Sequence, residues 1–153
     1  MLNAAALLNG ILGVFDKKLP NIADVAQQIS EQYRKYASIA QGSTLMDPVV
    51  LLGAEQLKLQ QALVNLMQAR LPAAAAANMV GTAIVQFWTA PPVLTVGAGT
   101  CTVVIPAGGI SIMMGTKVST SAQAAQSLAN ALDAMTRTTT IIYPYPIVPG
   151  VLV

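Results

Sequence analysis

Six carboxylates, eight Lys and Arg, one cysteine and no histidine form the reactive inventory of this 153-residue chain. Without histidine there is no ordinary general base near neutrality, no imidazole metal ligand and no nucleophile-histidine pair. Asp16, Asp24, Glu31, Asp47, Glu55 and Asp133 fall at helix-start, polar-face or loop positions, where capping and hydration account for a carboxylate. No local cluster among them suggests a metal site. Cys101 sits inside the apolar run TCTVVI and reads as a small buried residue that has no intrachain disulfide partner. No catalytic residue, no cofactor-binding residue and no metal ligand is therefore expected, and the chain is not expected to be an enzyme.

The glycines were the remaining route to chemistry. A Walker A loop needs four residues between its glycines and then Lys-Ser/Thr. Here five residues separate Gly109 from Gly115, Thr116 precedes Lys117, and Val118 follows. Gly97-Ala98-Gly99 lacks the third glycine of a dinucleotide fingerprint and precedes a strand-like run rather than a helix. Both read as turn glycines.

The elements that would position any site follow from spacing. Residues 2–15 predict a short apolar helix, weakened by Gly10 and Gly13. No cation precedes Lys17, so this segment reads as a docking helix rather than a signal peptide, and with no disulfide framework nothing argues for secretion. Asn21 and Asp24 open a second helix whose Ile22, Val25, Ile29, Tyr33, Tyr36 and Ala40 recur at three- and four-residue steps, with Gly42 as its stop. Asp47-Pro48 predicts a third helix running to Leu71, with Leu52, Leu59, Leu63 and Leu66 as its stripe. The short link 41–46 makes the pair an antiparallel hairpin. Five alanines lead into a helix over 73–89 that ends before Pro91-Pro92. The runs 93–96 and 100–105 around the glycine turn predict a hairpin. Ile110–Met114 is open between strand and helix. Thr120 and Gln123 form a capping box for a helix to Met135, Arg137–Tyr143 reads as a strand, and the prolines after Tyr143 make 144–153 an extended arm.

The expected fold is α+β and predominantly helical, a single domain over 1–153: a helical part at 1–71, an Ala-rich helix and small β-hairpin or sheet with one more helix at 72–143, and the Pro-rich arm. Only 9% of residues are charged and 54% are hydrophobic, with positive mean hydropathy. All charges but Lys117, Asp133 and Arg137 lie between Asp16 and Arg70. A free surface is normally covered by charged side chains, so the C-terminal half is expected to be covered in its working state. Nothing basic runs long enough to track a phosphate backbone, which makes nucleic acid an unlikely primary ligand. The uncharged 73–90 has the length of a membrane span, yet alanine dominates it, it carries Asn78 and Gln86, and no basic flank orients it.

Low charge, Ala and Thr enrichment and an uncharged tail favour assembly with other subunits, by strands adding to a neighbour's sheet and arms lying along it. The expected interface residues are Phe87, Trp88, Val93, Val103, Ile105, Ile142, Tyr143 and Tyr145, because large apolar groups carry most interface energy. In the Ala73-to-Trp88 segment followed by Pro91-Pro92, the glycine-broken apolar stretch through Met114, the helix SAQAAQSLANALDAM and the run RTTTIIYPYP, the chain resembles small virion structural proteins of tailed bacteriophages. The resemblance covers about half the chain and is one of composition and element order. It implies a noncatalytic subunit of a head, neck, tail or baseplate, located in the virion, with copies of itself and other virion proteins as partners and no cofactor. The alternative is a small membrane-active protein using 73–90.

Overall fold

The computed structural model describes residues 2–43, 48–51, 53–89, 94–95, 100–103, 120–143 and 149–153. Among the described residues, five helices and five short strands follow one another as α1 (Ala4–Asp16), α2 (Ile22–Ala37), β1 (Val49–Val50), α3 (Ala54–Ala69), α4 (Ala73–Thr89), β2 (Leu94–Thr95), β3 (Thr100–Val103), α5 (Ser121–Arg137), β4 (Thr139–Ile142) and β5 (Gly150–Val151). The molecule is a predominantly helical α+β fold, as the sequence predicts.

Helix starts follow side-chain capping. The Asn3 side chain accepts from the Ala6 N–H at 3.0 Å, Asn21 from Asp24 N–H at 2.8 Å, and Thr120 from Gln123 N–H at 3.2 Å. Each satisfies one N–H that the first helical turn leaves without a partner. Leu7, Ile11 and Val14 bury one face of α1 against α2 and α5. Helix α1 approaches α2 closely at Gly10, where a Cβ would lie 2.6 Å from the Gln32 side-chain oxygen. The amino-terminal helix thus docks on the chain's own core.

The third helix begins later than Asp47-Pro48 predicts. Pro48 to Val50 is extended, Gly53 occupies the left-handed region at φ +99°, and α3 starts at Ala54. Two β-branched valines favour the strand, and glycine supplies the backbone turn that a side chain would resist. The Glu55 carboxylate accepts from Gly53 N–H at 2.7 Å. The link between α2 and α3 therefore spans 38–53 and carries a strand, rather than the short connection over 41–46. Arg34 near the end of α2 meets Glu55 at the start of α3, and Ile29 and Leu63 line one cleft, so the two helices do run antiparallel. Asp47, Leu52 and Ile110–Met114 lie outside the described residues.

The strands form one antiparallel sheet in the order β1-β2-β3-β4-β5. Residues 40–43 close it into a ring. Gln41 pairs with Pro48 and Gly42 with Leu152, Val49 N–H donates to Ala40 C=O, and Gln41 and Val153 exchange two backbone hydrogen bonds at 3.2 and 3.0 Å. Among the described residues, both outer strands, β1 and β5, are thus paired on their far side as well. The expected arm over 144–153 ends in β5, which joins the sheet beside β4 despite the prolines before it, and in the described sheet both flanks are occupied by the chain itself. The central part of the arm, 144–148, lies outside the described residues.

Candidate subunit interface

Alternation along the ring sorts its side chains into two faces. Val49, Cys101, Ile141, Tyr143 and Leu152 are buried toward the helices. Val50, Ile142 and Val151 point the other way and are 43%, 50% and 41% exposed. The backbone register runs Val50–Leu94–Thr100–Ile142 across four strands, which puts Val50 and Ile142 on one face. Val151 pairs with Thr140, two residues before Ile142, so it shares that face. Three apolar residues are thus presented on the same outer surface of a closed ring, and no charged residue occurs in β1 to β5.

The helical side of the ring is built differently. Trp88 at the end of α4 donates its indole N–H to the Tyr33 hydroxyl at 2.9 Å, and that hydroxyl lies 2.7 Å from Thr136 Oγ1. Thr136 gives its own proton to the Leu132 carbonyl at 2.7 Å, so Tyr33 must donate to Thr136. The chain of donors ends on a backbone acceptor with every member satisfied. One helical turn away, Asp133 accepts from the Tyr36 hydroxyl and from Arg137 Nε at 3.0 and 2.9 Å. Arg137 also reaches the Leu2 carbonyl at 3.3 Å, tying the amino-terminal segment to α5. Phe87 meets Tyr33 edge-on at 4.9 Å and Trp88 at 5.3 Å between ring centres, a favoured aromatic geometry.

Burial pushes both phenols well above their ordinary pKa, and the Asp133 carboxylate pushes Tyr36 further. The hydrogen bond to Asp133 raises the Arg137 guanidinium. These directions describe a static polar anchor. The two tyrosines are held neutral near pH 7, and the Asp133 carboxylate accepts from two donors, Tyr36 and Arg137. Among the described residues no group of three or more potential metal-ligating side chains occurs, and no helix is long and apolar enough to cross a membrane.

Of the residues expected at the interface, Ile142 is the one found exposed on a described face. Phe87 and Trp88 are fully buried and Tyr143 nearly so, enclosed by the chain's own core and presenting no surface to a partner in this fold. The reason lies in α4, where Ala77, Val80, Ala83 and Ile84 form the core stripe and Phe87 continues it at the three-residue step. Val103 ends β3. Val93, Ile105 and Tyr145 lie outside the described residues. Sequence reasoning missed Val50 and Val151, which became visible only when the strands at 49–50 and 150–151 were in register with Ile142. No protein-family model, curated protein or solved structure matches the chain.

Proposed function

We propose that this chain is a noncatalytic structural subunit of a virion or a comparable large assembly, and that it works by repeated subunit contacts through the outer face of the ring. The observation that supports this most directly is the shared exposure of Val50, Ile142 and Val151 on a sheet without charged residues. An isolated exposed apolar side chain is ordinary, but several on one face mark a surface that gains by being covered. Ring closure sharpens the mode of contact. A closed sheet offers side chains rather than strand edges, so contact would be face to face and its specificity would come from shape. The low charge of the C-terminal half and the resemblance to small virion structural proteins support the same reading.

Sedimentation velocity across a concentration series tests it, alone and with proteins from the particle. The expected result is concentration-dependent association or particle binding by the native chain, lost when Ile142 and Val151 are both replaced by lysine while helical circular dichroism is kept. A native chain that stays monomeric at high concentration and binds no particle protein would overturn the proposal.

A further inference from the structure

Independently of the ring, the helical body holds an apolar cleft of about 200 Å³. Phe15 of α1, Ile29 of α2, Leu63 and Met67 of α3, Val80 of α4 and Leu128 of α5 line it, with Ser127 as a polar neighbour. Phe15 and Ala124 also line a second, more open depression whose other walls include Lys18, Thr120 and Ser121. The two therefore adjoin at Phe15 and Ala124, and the outer depression, otherwise walled by Val14, Leu19 and Val25, carries its polar groups at Lys18, Thr120 and Ser121. Among the described residues, Lys18 is the one charged residue lining either of them. It is exposed at the exit from α1, and the two hydroxyl residues stand at the start of α5, where a helix favours negative charge.

We propose that this cleft binds a free medium-chain carboxylate, with its alkyl chain in the apolar interior and its carboxylate at the mouth beside Lys18. Size and charge both select this class. An apolar cavity of roughly 150 Å³ accommodates benzene, so the interior here holds an alkyl chain somewhat larger than six carbons. A chain without a head group would leave the mouth's cation unused, and an alkylammonium would meet a like charge at Lys18. The carboxylate meets complementary charge and two hydroxyl donors. The ligand buries apolar surface that the helices leave partly uncovered, since Phe15, Leu66 and Met67 are only half-buried.

Titration calorimetry with octanoate, octanol and octylammonium, each below its aggregation limit, tests the assignment on the native chain. Octanoate is expected to bind at one site per chain, about two- to fivefold more tightly than octanol, the range a single exposed ion pair supplies, and octylammonium most weakly. Lys18→Gln is expected to remove the advantage of octanoate over octanol while leaving octanol unchanged. Ala124→Leu, which narrows the junction, is expected to weaken all three ligands, with unchanged circular dichroism showing that the fold persists. Equal binding of the three ligands, absence of octanoate binding, indifference to Ala124→Leu, or binding of anionic phospholipid vesicles without binding of octanoate would each overturn the proposal.

Discussion

The helical body and the β-ring treat polarity in opposite ways. Between α2, α4 and α5 the chain buries hydroxyls, an indole N–H and a half-buried carboxylate, and it satisfies them in two short networks around Tyr33 and Tyr36. On the outside of the ring it exposes valine and isoleucine. Buried polar groups contribute uniqueness only when every partner is present, whereas exposed apolar groups contribute little until something covers them. The first region accordingly fixes the shape of the monomer, and the second is free to be selected for what it meets.

The contrast predicts very unequal costs of mutation. Trp88→Ala should have the largest effect, destabilising the fold by about 3–5 kcal/mol through the cavity it leaves and the loss of the donor to Tyr33, read as a fall in the urea midpoint. Thr136→Val keeps the volume but leaves the Tyr33 hydroxyl without its acceptor, at about 1–3 kcal/mol in the same assay. If Thr136→Val proved neutral, the network would be incidental to the packing around it.

A third expectation uses pH. Unfolded tyrosine titrates near pH 10, and the folded pKa of both Tyr33 and Tyr36 lies above that value. The folded state thus keeps protons that the unfolded state loses. Their contribution is fully present below about pH 10 and is lost as pH rises toward the folded pKa values, by up to about 1.4 kcal/mol per pH unit for each phenol. The melting temperature should therefore fall above pH 10, and less steeply in Tyr36→Phe, where Asp133 still holds Arg137. The smallest effect on stability belongs to the ring. Ile142→Ser should change unfolding by no more than about 0.5 kcal/mol and yet weaken association. A large loss of stability there would erase the distinction between the two regions.

Much of the helical body was legible because its signals are local. The caps Asn21 and Thr120, and the Ala73–Thr89 helix with its proline stop, rest on residues within a turn or two of one another. Tyr33 and Tyr36 were visible as a stripe, but their partners were not, since the Tyr33–Thr136 contact joins residues 103 apart. The start of α3 was misplaced because Asp47-Pro48 carries a good helix signature, while the valine pair and the left-handed Gly53 favour another structure only when β2 is there to pair with. The ring was the least legible element. Its closure depends on 40–43 lying between β1 and β5, a pairing that no periodicity announces, and an arm rich in proline reads as unable to enter a sheet. The exposed face was hidden for the same reason, and of the residues expected there only Ile142 has a described exposed side chain.

Ring closure also sets an order of events in time. Val151 N–H donates to the Ser43 hydroxyl across 108 residues, and contacts of such long sequence separation form slowly, after the local helices have begun to organise. Residues 149–153 must have left the ribosome before Val151 can take its place beside Thr140 and close the ring. Until then the side of β4 that Val151 covers is an open strand edge of the kind other chains can pair with, and closing the ring removes it.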